Sequence, residues 1–202
     1  MRSRVIPIAG VCVISLTLLY SGSTAEEKAA AETKKAKIGE PAPPLALKDC
    51  YDKTFTLAEF KGKTVVLEWI NQNCPISKGC HEKKVMQDTY KKYADKGVVW
   101  LAIDSTYTAK PEGNRVYAAQ MGLACPILHD PEGTVGKAYG ATNTPHMFVI
   151  DKAGKLAYEG AIDDQAGKNY VAAALDELLA GKAVSKPETK PYGCTVKYKP
   201  AK

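Results

Sequence analysis

The sequence predicts an α/β fold in which helices cover both faces of a mixed central β-sheet. Residues 64–70 and 97–104 are almost entirely apolar, which is typical of strands that are buried on both faces. A helical pattern follows each of these segments, and this alternation favours parallel β-α-β units. Residues 146–151 and 156–160 flank a tight Lys-Ala-Gly-Lys turn, which predicts a closing antiparallel hairpin.

The other elements can be placed in chain order around these strands. Residues 50–62 alternate like a hairpin or a short strand, residues 76–96 have the pattern of one amphipathic helix, and residues 125–128 form a short extended piece. Further helices are expected at 114–121, 131–139 and 169–179, each followed closely by a glycine that ends it. The resulting order, β-α-β-α-β-β-α, is that of the thioredoxin fold.

The first 25 residues have the pattern of a secretory signal peptide. Two arginines precede the apolar stretch 5–20, and small residues occupy the −3 and −1 positions of a cleavage after Ala25. The apolar stretch is short for a membrane span, and it contains Pro7. We therefore expect a periplasmic or secreted protein that meets the membrane only through its signal peptide.

Three regions follow the signal peptide. Residues 26–38 are rich in Ala, Lys and Glu, which predicts a flexible linker. Residues 39–183 contain the predicted strands and helices and form one domain, and residues 184–202 are expected to form a flexible Pro- and Lys-rich tail that carries Cys194. Removal of the signal peptide lowers the formal net charge from +6 to +4, and the basic residues are scattered among acids, so no nucleic-acid partner is expected.

Cys74 is the candidate reactive residue, because it lies where the strand 64–70 has ended and a helix begins. Free backbone N–H groups and the positive end of a helix dipole stabilise a thiolate at such a position. The alternative interpretation is a small buried hydrophobic residue. The coincidence of strand, polar turn, Cys-Pro and helix favours a redox-active thiol.

Five cysteines remain after signal cleavage: Cys50, Cys74, Cys80, Cys125 and Cys194. An oxidising compartment permits disulfides, and the odd number leaves at least one thiol free or paired with another chain. On one continuous helix Cys74 and Cys80 would lie about 9 Å apart, which exceeds the reach of a disulfide at about 7 Å. Cys125 precedes a short extended segment and is interpreted as a core residue.

Several motifs resemble those of one protein superfamily, and together they cover most of residues 39–196. They are Gly-Glu-Pro-Ala-Pro at 39–43, Phe-Thr-Leu at 55–57, the strand and turn at 65–75, Thr144-Pro145 before a strand, the hairpin at 149–160, and Pro-Tyr-Gly-Cys-Thr-Val-Lys-Tyr at 191–198. They resemble extracytoplasmic thioredoxin-like proteins and peroxiredoxin-like redoxins of the alkyl hydroperoxide reductase/thiol-specific antioxidant type. The resemblance implies a thioredoxin-like redoxin domain.

The resemblance also implies an exported thiol-dependent oxidoreductase in which Cys74 attacks a protein disulfide or a hydroperoxide. Cys194 on the tail is then the favoured resolving thiol, and an external thiol reductant completes the cycle. No cofactor is expected. A structural pairing of Cys194 with Cys50, which would clamp the tail to the domain, stays open as an alternative.

Two departures from the family pattern bear on the chemistry. Thioredoxins carry Cys-x-x-Cys, but Ser77 occupies the position of the second cysteine. Ser77 cannot close a disulfide, although it can donate a hydrogen bond to the sulfur of Cys74. Peroxiredoxins carry Pro-x-x-x-Thr-x-x-Cys, whereas this chain has Leu67 and Asn71 at the Pro and Thr positions. These differences favour thiol–disulfide exchange over peroxide reduction.

Supporting roles are expected for residues on both sides of the reactive cysteine. Glu68 lies in an otherwise apolar strand, where burial would suit its carboxyl group to proton transfer, and a partly exposed or Lys-paired acid is the alternative. Pro145 is expected to be cis and to face the active-site turn. The backbone of Thr144, together with Asn71 and Pro75, is then expected to contact an extended substrate.

Two other functional classes stay open on the sequence alone. Cys74, Cys80, His81 and His146 form a soft ligand set that suits copper(I), and thioredoxin-fold copper chaperones resemble this arrangement. A noncatalytic binding domain is the other alternative, and it predicts that replacing Cys74 with Ser changes no activity. The sequence lacks a nucleotide-binding loop, a Ser-His-Asp hydrolase elbow and a zinc-finger spacing.

Overall fold

The computed structural model describes residues 35–200, so the predicted signal peptide and most of the predicted linker lie outside the described residues. The strands are β1 Ala46–Asp49, β2 Thr54–Thr56, β3 Thr64–Trp69, β4 Val98–Asp104, β5 Ile127–His129, β6 Asn143–Thr144, β7 His146–Ile150, β8 Leu156–Gly160 and β9 Cys194–Thr195. The helices are a 3-10 helix at Leu57–Phe60, then α1 Pro75–Glu82, α2 Val85–Ala94, α3 Pro111–Met121, α4 Thr134–Tyr139 and α5 Tyr170–Leu179.

The main sheet confirms the predicted mixed architecture. Its strand order is β2-β1-β5-β4-β3-β7-β8, and β3 lies between parallel β4 and antiparallel β7. The chain enters through the β1–β2 hairpin and leaves through the β7–β8 hairpin, both antiparallel. Every residue of β3 is buried, because helices cover this part of the sheet from both sides.

Alternate residues of β3 supply the two halves of the core. Leu67 and Trp69 belong to the cluster that includes Tyr139 of α4, and Val66 belongs to the cluster that includes Leu175 of α5. Burial of each such large apolar side chain stabilises the fold by about 1.5–3 kcal/mol. Because side chains alternate along a strand, Glu68 points toward the same face of the sheet as Val66.

The predicted single helix at 76–96 is wrong, since α1 and α2 are separate helices. The break falls at Lys84, whose φ of +62° is left-handed. The Nζ atom of Lys84 donates a hydrogen bond to the carbonyl oxygen of Met121 at 2.7 Å, and the side chain of Gln87 donates to the same oxygen at 2.9 Å. Contacts with the end of α3 therefore hold a turn for which the local sequence offers neither glycine nor proline.

The C-terminal tail is packed against the domain, in contrast to the flexible segment that the sequence indicated. Pro187 accepts a hydrogen bond from the backbone of Glu159 in β8, and Thr189 donates one back to it. Farther along, β9 pairs antiparallel with β6 in a second, two-stranded sheet. The tail thereby crosses the end of the domain at which β3 leads into α1.

None of the helices within residues 35–200 is both long enough and apolar enough to span a membrane.

Candidate active site

Cys74 is the N-cap residue of α1, as the strand–turn–helix pattern predicted. The turn before it is held by Asn71, whose Oδ1 accepts from the amide of Asn73 at 2.8 Å and whose carbonyl oxygen accepts from the amide of Cys74 at 3.0 Å. Pro75 occupies the first helical position, where a missing N–H costs nothing. In this geometry Asn71 shapes the turn that presents the thiol.

Three parts of the chain converge on the sulfur of Cys74, which is only 1% exposed. The amide of Ser77 in the first turn of α1 lies 3.4 Å from the sulfur and donates to it. The thiol of Cys74 donates to the carbonyl oxygen of Thr144 at 3.1 Å. The third partner is Cys194, which pairs with Thr144 across β6 and β9 and so lies beside Cys74.

These contacts divide the roles of the two thiols. Burial raises the pKa of the Cys74 thiol, but hydrogen bonds from the Cys194 thiol and the Ser77 amide outweigh it, so this pKa lies below its ordinary value. The hydrogen bond to Cys74 raises the pKa of Cys194, and burial adds to the effect. The pair therefore holds its proton on Cys194 and favours the thiolate on Cys74, which is the nucleophilic form.

The cis-proline loop and the tail strand bring Cys194 to this position. The Thr144–Pro145 peptide bond is cis, as predicted. Thr144 and Cys194 are partners in the β6–β9 pairing, and the side chain of Asn143 donates to the carbonyl oxygen of Gly193 at 3.0 Å. Thr144 thus contacts Cys74 through its carbonyl oxygen and pairs with Cys194 across the two strands.

Ser77 contributes through its backbone rather than through its hydroxyl group. Its side chain is wholly buried, and its Oγ atom has no hydrogen-bond partner among residues 35–200. The expected hydroxyl donor to Cys74 is therefore replaced by the amide of the same residue. Pro75 lines an adjoining cleft of about 560 Å³ together with Ile76, Cys80 and Tyr192.

Glu68 is completely buried. It contacts His81 and Trp100, whereas one alternative from the sequence was pairing with a lysine. Its Oε1 lies 2.8 Å from Nε2 of His81, and its Oε2 accepts from the indole N–H of Trp100 at 2.8 Å. Nδ1 of His81 lies 2.8 Å from the hydroxyl of Tyr117, so the carboxylate heads a chain of buried polar groups that ends on α3.

His81, which the sequence suggested only as one of four possible copper ligands, is the buried partner of Glu68. Burial lowers the pKa of His81, but the charge and the hydrogen bond of Glu68 outweigh it and raise the net value. Helical spacing in the sequence could have indicated that His81 is buried. Ser77 and His81 are four residues apart, so both lie on the buried face of α1.

The other cysteines do not join the Cys74–Cys194 pair in this structure. All five cysteines of the described part of the chain are free thiols. Cys80 lies 3.7 Å from the hydroxyl of Tyr192, and Cys125 packs against two core clusters, in keeping with its predicted core role. Cys50 lies in the β1–β2 turn, three strands across the sheet from β3, so the Cys50–Cys194 clamp finds no support.

The proposed copper ligands are not brought together. Both ring nitrogens of His81 are engaged by Glu68 and Tyr117. Nδ1 of His146 accepts from the amide of Thr142 at 3.2 Å, and burial lowers the pKa of this histidine to about 4. Residues 35–200 contain no group of three or more His, Cys, Asp or Glu side chains that could hold a metal ion.

Comparisons with known proteins agree with this fold. The sequence model of the AhpC/TSA family matches residues 38–159. The chain is 34% identical over 157 residues to the thiol-disulfide oxidoreductase ResA of Bacillus thuringiensis, covering 77% of this chain and 84% of that protein. An uncharacterized conserved protein from Geobacillus kaustophilus has a similar structure, with a TM-score of 0.73 and 31% identity over 82% of this chain and 94% of that one. The thioredoxin domain of a thiol-disulfide oxidoreductase from Bacteroides vulgatus shares the fold at a TM-score of 0.54 and 20% identity, over 62% and 89% of the two chains.

Proposed function

Because the chain belongs to the AhpC/TSA family and is an oxidoreductase of the thioredoxin type, we propose that Cys74 and Cys194 are its redox pair. The observation that carries the proposal is the β6–β9 pairing, which places Cys194 opposite Thr144, the residue whose carbonyl oxygen lies 3.1 Å from the sulfur of Cys74. The pair substitutes for the Cys-x-x-Cys motif of thioredoxins. Its second thiol comes from the tail instead of from the helix that carries the first.

The cycle follows from the unequal pKa values of the two thiols. The Cys74 thiolate attacks one sulfur of a substrate disulfide, forms a mixed disulfide and releases the other substrate sulfur as a thiolate. Cys194 then loses its proton and attacks the sulfur of Cys74, which releases the second substrate thiolate and leaves a Cys74–Cys194 disulfide. An external dithiol restores both thiols and is itself oxidised to a disulfide.

Thiol–disulfide exchange fits the site better than hydroperoxide reduction does. The side chain of Asn71, which stands where peroxiredoxins carry threonine, is used in the turn and caps the amide of Asn73. Thr144 instead offers its carbonyl oxygen beside the sulfur of Cys74. Relatives that are about one-third identical carry the name thiol-disulfide oxidoreductase, which supports the same reaction class here.

Export completes the proposal, since protein disulfides that could serve as substrates form and persist in an oxidising compartment. Residues 1–25 would be removed as a signal peptide, residues 26–38 would link to the redoxin domain at 39–183, and residues 184–202 would supply the resolving thiol. N-terminal sequencing of protein recovered from the cell envelope or the medium tests this point. A mature N-terminus at Glu26 is expected, whereas recovery of the intact Met1 terminus would contradict it.

Nonreducing peptide mass spectrometry, with free thiols blocked, tests the redox pair. We expect a Cys74–Cys194 bridged peptide after mild oxidation with glutathione disulfide, and its loss after treatment with dithiothreitol. The Cys194→Ser variant should instead accumulate a glutathione adduct on Cys74, because no second thiol displaces it.

Cys50→Ser is the matched control, and it should form the Cys74–Cys194 bridge as the unmodified protein does. A constitutive Cys50–Cys194 bridge with Cys74 left free would refute the proposed pair. Unchanged reductase activity of Cys74→Ser would do the same and would favour a noncatalytic binding domain.

A further inference from the structure

We propose that this chain's own tail competes with protein substrates for the β6 edge, and that the edge selects substrate segments with glycine immediately before the cysteine. This proposal rests on Cys74 being the redox-active thiol. In the structure the edge is filled by β9, which places Cys194 opposite Thr144, and the carbonyl oxygen of Thr144 lies 3.1 Å from the sulfur of Cys74. A substrate cysteine must reach the same sulfur, so it must replace Cys194 there.

The β6 edge has the properties of a peptide-docking surface. Thr144 pairs with Cys194 and Asn143 with Thr195 in antiparallel register, and the amide of Val196 donates to the carbonyl oxygen of Thr142 at 2.9 Å. Main-chain hydrogen bonds of this kind bind an extended segment without regard to most of its side chains. Any exposed strand that carries a cysteine in this register would satisfy the same groups.

The residue before the cysteine carries the sequence requirement. Gly193 has a φ of +95°, which side-chain-bearing residues rarely adopt. A Cβ atom at this position would collide with the carbonyl oxygen of Thr144 and would lie 3.3 Å from Cβ of Ile76. A substrate segment that docks in the register of β9 therefore needs glycine immediately before its cysteine.

Anchors on both sides of Cys194 make the tail an effective competitor. Upstream, the hydroxyl of Tyr192 donates to Asp163 at 2.7 Å. Downstream, the hydroxyl of Tyr198 donates to the carbonyl oxygen of Ala141 at 2.7 Å. A macromolecular substrate binds only the fraction of molecules whose tail has left the edge, and its apparent affinity falls by that fraction.

The chemical step at the vacated edge is an exchange of disulfide bonds. The Cys74 thiolate forms a bond to the sulfur of the docked cysteine while the disulfide that held that cysteine breaks. The displaced sulfur leaves as a thiolate. A small disulfide needs only a local shift of Cys194, so it is far less sensitive to the position of the whole tail.

The test uses the full chain with Cys194→Ser in every variant, so that the mixed disulfide on Cys74 accumulates. The probes are glutathione disulfide and two glutathionylated peptides, Tyr-Gly-Cys-Thr-Val and Tyr-Ala-Cys-Thr-Val, and the adduct on Cys74 is measured by quenched-flow mass spectrometry. Tyr198→Ala loosens the tail, and we expect it to raise the rate constant with the Gly-Cys peptide by at least about tenfold. The rates with glutathione disulfide and with the Ala-Cys peptide should change by less than about threefold.

Matched variants separate docking from folding. Tyr51→Ala removes an exposed tyrosine and should leave every rate unchanged. Gly193→Ala should reproduce the gain of Tyr198→Ala, whereas Gly154→Ala, at a φ of +80° with open space around it, should not. The docking proposal would be overturned if the rate constant rose equally with all three probes or rose with none. It would also be overturned if the two peptides reacted equally fast. Absence of any Cys74 adduct with glutathione disulfide would instead overturn the proposed function itself.

Discussion

The reactivity of Cys74 depends on donors that come from distant parts of the chain. The amide of Ser77 is local, but the thiol of Cys194 arrives through the tail and lowers the pKa of the Cys74 thiol further. Where burial outweighs the hydrogen bonds, the pKa of a thiol is raised, as at Cys80 and Cys125. The same residue type thus has a lowered pKa at one position and a raised pKa at others.

Removing the Cys194 donor should make Cys74 less acidic. In Cys194→Ala the burial effect loses its largest opposing hydrogen bond, so the pH midpoint of Cys74 alkylation by iodoacetamide should rise and the rate at neutral pH should fall severalfold. Cys194→Ser keeps a hydroxyl donor and should give a midpoint between those of Cys194→Ala and the unmodified protein. Equal midpoints in all three proteins would contradict this account.

The Glu68–His81 pair is the other strongly coupled group at this scale. Burial lowers the pKa of His81, but Glu68 raises it to a net value above that of an exposed histidine. The pair therefore contributes fully to the free energy of unfolding below the ordinary pKa of histidine. This contribution is lost as the pH rises through the raised pKa of His81 in the folded state.

Glu68→Gln should reverse this pH dependence, because burial alone then lowers the pKa of His81. At pH 6 the variant should lose about 3 kcal/mol in the free energy of unfolding, because a buried charged pair is broken, and the loss should shrink as the pH rises. Urea unfolding across the pH range measures both effects. Glu82→Gln, which alters an exposed acid on the same helix, is the control and should follow the unmodified protein. If the free energy of unfolding varied with pH in the same way for Glu68→Gln and the unmodified protein, the Glu68–His81 pair would not be the cause of the pH dependence.

Among the elements, α5 shows how a helix start also fixes packing. Oδ1 of Asn169 accepts from the amide of Ala172 at 2.8 Å, and its Nδ2 donates to the hydroxyl of Thr89 in α2 at 2.8 Å. One side chain therefore caps α5 and ties it to a neighbouring helix.

Asn169→Ala should destabilise the protein by about 1–2 kcal/mol, because both the cap and the link to α2 are lost. Asn169→Asp keeps the acceptor for the Ala172 amide and should lose less. Thermal or urea unfolding gives the comparison, and an equal loss in the two variants would show that the cap contributes nothing.

At the scale of the whole molecule, a disulfide between Cys74 and Cys194 would close a covalent loop of the chain from residue 74 to residue 194. The loop spans most of the folded chain, so the entropy of the unfolded state falls sharply. The oxidised form should be more stable than the reduced form by up to about 4–5 kcal/mol on the chain-entropy estimate. Urea unfolding of the two forms measures the difference.

The difference should vanish in Cys194→Ser and persist in Cys50→Ser. Its disappearance in Cys50→Ser would mean that another disulfide closes the loop.

The sequence by itself determined the fold class, the central strands and the position of Cys74 at a helix start. These depend on contiguous residues: the apolar runs that form β3 and β4, the turn that joins β7 and β8, and a cysteine placed before Pro75 at a helix start. Alternation of period 2, helical periodicity and capping are local properties, so they can be recognised without knowledge of packing.

Only the tertiary structure decided which distant groups meet Cys74 and Glu68. The tail strand places Cys194 against Cys74, α1 and β3 together pair His81 with Glu68, and contacts with the end of α3 divide the predicted helix at Lys84. Each outcome joins segments that are far apart along the chain, and the energy that selects it comes from burial and hydrogen bonds formed on packing. Local sequence patterns carry no information about such contacts, which is why a tail interpreted as flexible proves to be a strand of the active site.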